Sequence, residues 1–228
     1  MKLELDNTGI CEVETECLVI PVADGGPLLE SAAAVNKAGG GMIEAMLENG
    51  DIQTKPGKTT MLHGVPGLVA GRVLAVGVGK PGKLTLAKFN SACEAAAKVL
   101  RDHPLRSCHV CLHEVEIEGV ETANRLRQAA VALRQGNYLY TVTKQRKDDA
   151  PAPLESASFA GGPELKAAID QANGIAAGFD KGRMLPDLPP KNCTPTYLAQ
   201  DAVAISKAYA SVELEVHEEN DLAEEGMD

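Results

Sequence analysis

Unbroken apolar runs and helical apolar spacing take turns along most of this chain, and that alternation gives the first reading of its fold. Cys17 to Val22 is a continuous apolar run, which suits a strand buried on both faces. A helix is predicted from Leu28 to Lys37. Gly39-Gly40-Gly41 interrupts it, and helical character resumes from Met42 to Glu48. Thr59 to His63 and Arg72 to Val78 read as further strands. Thr85 is placed to cap a helix on which Leu86, Phe89, Cys93, Ala96 and Leu100 share one side. Ser107 to Ile117 reads as a strand. Gly119 to Gln135 reads as a helix with Val120, Ala123, Leu126, Ala130 and Leu133 turned inward.

The texture then loosens. Lys144 to Pro153 is charged and proline-containing, a surface loop. Leu154 to Ala160 reads as a last strand, and Pro163 sits where a first-turn proline belongs, opening an Ala-rich helix that runs to about Met184. Leu185 to Pro190 carries three prolines and is read as irregular. Thr194-Pro195 starts another helix with Leu198, Ala202, Ile205 and Tyr209 at helical spacing. Val212 to Val216 alternates as a strand does, and Glu218 to Met227 reads as a short helix.

Strands alternating with helices predict an α/β fold with a mixed or mostly parallel sheet flanked by helices. The expected organisation is an α/β domain over residues 1–162, a connector helix over 163–185, and an incomplete piece of a second α/β domain over 186–228. A helix, a strand and a helix do not enclose a core, and about 40 residues lie near the limit for unaided folding.

Composition changes this picture only in places. The chain has 228 residues, of which 44% are hydrophobic, 24% charged and 3% aromatic, so its core must be built from Leu, Val, Ile and Ala. The formal net charge of −10 opposes phosphate backbones and argues against nucleic-acid partners. No stretch approaches the roughly 20 apolar residues of a membrane span. Met1-Lys2-Leu3-Glu4-Leu5-Asp6 lacks the apolar core of a signal peptide. The 6 cysteines are read as reduced thiols of a cytoplasmic protein.

Several constellations carry chemistry on paper. Gly77-Val78-Gly79-Lys80-Pro81-Gly82 matches G-x-G-x-x-G after a strand, yet Pro81 and the absence of an acidic residue at the expected distance favour a tight turn over a dinucleotide site. Gly57-Lys58-Thr59 resembles the end of a phosphate loop but has Ile52 where the first glycine belongs. Cys108-His109-Val110-Cys111 is a literal C-x-x-C. On a strand its thiols point to opposite faces, while His109, Cys111 and His113 would share one. Gly39-Gly40-Gly41 is either a phosphate cradle or a joint between helices. His63, His103 and His217 stand alone. Glu213, Glu215, Glu218, Glu219, Asp221, Glu224, Glu225 and Asp228 read as a solvated face. No nucleophile elbow appears. The residues alone offer no catalytic, cofactor-binding or metal-binding set.

One long segment carries a resemblance. Gly178-Phe179-Asp180-Lys181-Gly182-Arg183-Met184-Leu185-Pro186-Asp187-Leu188-Pro189-Pro190-Lys191-Asn192-Cys193-Thr194-Pro195, followed by Tyr197-Leu198-Ala199, resembles the domain junction of the leucyl (cytosol) aminopeptidases. Leu222 to Met227 resembles the segment before that family's first long catalytic strand. Ala38 to Gly41, Gly50-Asp51, Lys55 to Lys58 and Val76 to Lys80 fall in the order expected for its N-terminal domain. Pro186-Asp187 and Lys191 depart from the usual Gly-Asn and Asn.

The resemblance implies a macro-like N-terminal domain, removal of N-terminal residues from peptides, and two divalent metals (Zn, Mn or Mg) in the complete enzyme. The family's metal ligands lie beyond Asp228, so no site residue is carried over. The expectation is the front portion of a metalloaminopeptidase, inactive alone, stopping before the residues that do the chemistry. Whether the chain is itself an enzyme stays open. A homo-oligomer, or a hetero-oligomer with full-length subunits, is the expected partnership. A non-catalytic assembly or regulatory module and a macro-like small-ligand binder are the alternatives.

Overall fold

The computed structural model describes residues 1–143 and 153–227. The chain divides into two compact units, one holding Met1–Thr141 and the chain up to Asp180, the other mainly the chain from Lys181 onward.

The first unit is built on a six-stranded sheet of β1 (Lys2–Asp6), β2 (Cys17–Ala23), β3 (Thr59–His63), β4 (Arg72–Gly79), β5 (Ser107–Val110) and β6 (Ser156–Ala160). Their order across the sheet is β1-β6-β5-β2-β4-β3. All neighbours pair in parallel except β3, which runs antiparallel to β4 at the edge. Parallel pairing demands crossovers, and the helices supply them: α1 (Glu30–Ala38), α2 (Met42–Glu48), α3 (Leu86–Asp102) and α4 (Thr122–Gly136).

Because side chains alternate along a strand, the unbroken apolar runs feed two cores at once. Cys17, Val19, Leu74, Val76, Cys108 and Val110 face α3 and α4, together with Phe89, Leu100 and Leu126. Leu18, Ile20, Val22, Val73 and Ala75 face α1 and α2, where Val35 and Ile43 close the second core. The scarcity of large aromatics is met by close packing of Ala92, Ala96, Ala97, Ala129 and Ala130 between α3 and α4.

The sequence reading holds for the central elements and fails in four places. β1 is not among the expected strands: Lys2–Asp6 alternates weakly, but it pairs along its whole length with β6. The strand expected from Ser107 to Ile117 ends at Val110, and Leu112–Glu114 turns into a 3-10 helix. α5 (Lys166–Asp187), preceded by a 3-10 turn at Pro163–Leu165, continues through Pro186 where irregular chain is expected. The missing N–H of Pro186 falls in the final turn, and two residues on, Leu188 N still reaches Met184 O at 3.2 Å. The expected strand Val212 to Val216 is not one, because no neighbouring strand pairs with it among the described residues. The loop expected from Lys144 to Pro153 lies almost wholly outside the described residues.

In the second unit α6 (Pro195–Ala208) starts at Thr194, whose hydroxyl accepts from Tyr197 N at 3.2 Å. Lys181 pairs with Asp201 on this helix at 2.6 Å. α7 (Glu219–Glu224) opens with a capping box between Glu218 and Asp221. No described helix is long and apolar enough to cross a membrane.

Candidate functional site at the carboxyl edge of the sheet

Five neighbouring parallel strands end on the same edge, and ligands of open α/β sheets bind beyond such carboxyl ends. Three adjoining cavities lie there. One of roughly 720 Å³ follows β2 and is lined by Ala23 to Leu28, Glu44, Glu48 and the 50–55 loop. A second of roughly 230 Å³ lies between Ala23, Val78 and Glu114. A third of roughly 570 Å³ lies beyond β1, β5 and β6, between Asp6, Ser31, His113, Thr122, Arg125 and Ala160. The first and second share Ala23; the second and third share Glu114 and Glu116.

Glu114 is the central group. Leu29, at the start of α1, gives no side-chain cap to that helix. The Glu114 carboxylate takes the role instead, accepting from Ser31 N at 3.1 Å and from Ser31 Oγ at 2.6 Å. Burial nevertheless pushes its carboxyl up to about 7, and the bonds from Ser31 offset part of that rise.

The neighbouring histidines are buried and neutral. His113 Nε2 donates to Ala160 O at 2.7 Å, and burial pulls its pKa down to about 4. His109 lies against Ser158 Oγ at 2.9 Å, and burial lowers its pKa too, against the pull of Asp6. His113 Nδ1 and His109 Nε2 are buried without a hydrogen-bond partner. Arg125 is also buried: its guanidinium donates to His113 O at 3.0 Å, to Val120 O and to Thr122 Oγ1 at 2.9 Å. It ties the turn after β5 to the start of α4.

The constellations read from the sequence fare differently. His109, Cys111 and His113 are not brought together as a ligand set, and the strand pattern that would align His113 with the other two gives way to the 3-10 helix at Leu112–Glu114. Cys108 and Cys111 fall into opposite cores, as strand geometry requires. Gly77 in the G-x-G-x-x-G run serves a close approach: a Cβ there would stand 2.4 Å from Lys55 O, where the 53–58 segment crosses the end of β4. Gly39 to Gly41 form the joint between α1 and α2. Gly40 and Gly41 take positive φ, and none of the three lines any of the cavities described above. His103 bonds to Val99 O at 2.7 Å. Sequence reasoning missed Ser31, Glu114 and Arg125. Their only signal was a polar residue amid buried neighbours, and nothing in the sequence joined them.

The model of the N-terminal domain of the cytosol aminopeptidase family matches residues 19–147. The chain belongs to that family. Among similar proteins, the probable cytosol aminopeptidase of Stenotrophomonas maltophilia is 34% identical over 212 residues, covering 93% of this chain and 43% of that protein. The probable cytosol aminopeptidase of Azotobacter vinelandii is 34% identical over 230 residues, covering 100% of this chain and 46% of that one. The chain thus spans less than half the length of these curated relatives. Two solved structures share its fold. A tomato leucine aminopeptidase mutant aligns with a TM-score of 0.76 at 22% identity, over 98% of this chain and 46% of that one. The bottromycin maturation enzyme BotP aligns with a TM-score of 0.71 at 21% identity, over 92% of this chain and 41% of that one.

The two divalent metals that the family resemblance implies find no fitting donor set in the described residues. No group of three or more His, Cys, Asp or Glu among them stands where it could hold an ion.

Proposed function

We propose that this chain is the non-catalytic portion of a metal-dependent enzyme that removes N-terminal residues from peptides. It comprises the N-terminal domain of a cytosol (leucyl) aminopeptidase and the first part of the adjoining domain. The observation that carries the reading is the match of the family's N-terminal domain to residues 19–147, with relatives more than twice as long. The metal ligands then come from the portion of the relatives beyond the match, and the chain by itself is inactive. Its divisions are an N-terminal domain over 1–162, a connector over 163–185 and the beginning of the catalytic domain over 186–228. The proposed setting is cytoplasmic, within an oligomer of its own kind or with full-length subunits.

Hydrolysis of leucine p-nitroanilide tests this directly, with manganese or zinc added to the purified chain. No turnover above buffer is expected, and turnover appears when the second half of a relative is supplied in trans. Chelator-sensitive turnover by the chain alone would overturn the reading.

The exposed Val212, Leu214 and Val216 favour a second reading, in which the chain docks onto full-length subunits as an assembly module. Co-purification with a full-length aminopeptidase supports it; a monomer in its presence rules it out.

A further inference from the structure

The smallest of the three cavities at the carboxyl edge, roughly 230 Å³, is walled mainly by carbon. Val78 near the end of β4, Leu84 before α3 and Val115 after the 3-10 turn are buried members of the main core, and Ala23 and Leu29 pack against that core. The loop after β4 adds Pro81 to the wall. Water inside such a hollow finds few hydrogen-bond partners, so an apolar body that displaces it is favoured. Sites for drug-sized molecules measure roughly 300–1,000 Å³, so the occupant of this smaller one is a fragment of about six to nine non-hydrogen atoms.

One ionisable group in the lining is itself partly withdrawn from water. Glu114 accepts from Ser31 N at 3.1 Å and from Ser31 Oγ at 2.6 Å. Both donors are neutral, and they leave lone pairs of the carboxylate unused. No ion pair among the described residues includes Glu114. The charged groups nearby do not supply the missing cation. Glu30 on α1 repels it, and Lys80 beyond β4 stands toward Asp24 at 3.9 Å. The Arg125 guanidinium on α4 is held by His113 O, Val120 O and Thr122 Oγ1. A carboxylate drawn out of water without a counter-ion is costly, and a cation brought against it is attracted more strongly than in bulk solvent.

We propose that this cavity binds a small primary amine with a branched or cyclic hydrocarbon body, its ammonium group against Glu114 and its carbon among Leu29, Val78, Leu84 and Val115. The carbon wall selects for the hydrocarbon, and the uncompensated carboxylate selects against acids and neutral molecules of the same shape. This goes beyond the aminopeptidase reading, because it concerns one cavity of the sheet domain and needs no metal or second half.

The test is titration of the full chain with isopentylamine at pH 8, followed by backbone amide shifts. At that pH Glu114 is charged, since burial sets its carboxyl at about 7, while an aliphatic amine is still protonated. Saturable binding on the order of 1 mM or tighter is expected, with the largest shifts in residues 78–84 and 113–116. Isopentanol and isovalerate keep the carbon skeleton without the cation, and methylamine keeps the cation without the skeleton. Each should bind at least about tenfold more weakly. Glu114→Gln keeps an acceptor for Ser31 and should weaken isopentylamine by at least about tenfold. Glu30→Gln, an exposed carboxylate outside this cavity, should change affinity by less than about threefold. Binding of isopentanol as tight as that of the amine overturns the proposal in the unaltered chain, whatever the stability of the Glu114 variant. Absence of saturable shifts at about 20 mM amine, or shifts centred on other segments, overturns it as well.

Discussion

The carboxylate of Glu114 caps the helix that begins beside Ser31, reaching across 83 positions of sequence to accept from both the backbone N–H and the hydroxyl of that residue. The contact joins the turn after β5 to the start of α1, at the edge where the cavities lie. Removing it leaves a helix start without a side-chain cap. Glu114→Ala should cost about 1–2 kcal/mol, measured by urea unfolding, and Ser31→Ala should cost less because the backbone bond survives.

Glu114 and His113 oppose each other in their pH dependence. The folded pKa of Glu114 is raised to about 7 from an ordinary value of 4.5, so its contribution to stability is full below 4.5 and is lost as pH rises through 7. The folded pKa of His113 is lowered to about 4 from 6.5, so its contribution is full above 6.5 and is lost as pH falls through 4. Between pH 5 and 6.5 the two slopes cancel. Glu114→Gln should leave stability rising with pH by about 1 kcal/mol per pH unit in that window, and His113→Gln should leave it falling by about as much. Unfolding curves at pH 5 and 6.5 decide it; parallel behaviour of the two variants would show that the groups are not opposed.

Gly77 and Gly82 separate packing from backbone freedom within one motif. A Cβ on Gly77 meets Lys55 O at 2.4 Å and Gln53 O at 2.7 Å, and both are backbone atoms. Gly77→Ala should cost about 2–3 kcal/mol. Gly82 has φ +70 and open space around its missing Cβ, so Gly82→Ala should cost only about 1 kcal/mol. Equal losses in thermal unfolding would contradict the close approach at Gly77.

Thiol reactivity should divide the 6 cysteines by burial. Cys17, Cys93, Cys108 and Cys111 are buried, and burial pushes their thiols upward, Cys17 to about 12. Cys11 and Cys193 are partly exposed. A disulfide reagent should label Cys11 and Cys193 quickly in the native chain and the other four only on unfolding. Rapid native labelling of Cys108 or Cys111 would reopen the C-x-x-C as a reactive pair.

Arg134 holds the first strand in place. Its guanidinium pairs with Asp180 on α5 at 3.0 Å and donates to Met1 O at 3.2 Å. Arg134→Ala should cost about 1–2 kcal/mol and speed amide exchange in Lys2 to Asp6 more than in β2. Uniform acceleration across the sheet would mean that Arg134 supports the fold generally.

Where apolar periodicity was strong, the sequence was a sufficient guide. β2, β4, α3 and α4 appear within a few residues of their expected bounds, because each must satisfy burial on its own account. β1 escaped notice since an edge strand buries little: Leu3 is buried while Lys2 is exposed. Val212 to Val216 misled for the opposite reason, having strand alternation but no strand beside it.

The amino-acid order by itself determined the fold class, the family and the placement of the main helices and central strands, because these follow from local periodicity and short turns. Only the tertiary structure decided which polar residues act together. Ser31, His113, Glu114, Arg125 and Ala160 come from four stretches of chain, and the parallel crossovers bring them to one edge. Hydrogen bonding and burial act through space, so no spacing along the chain could have announced that meeting.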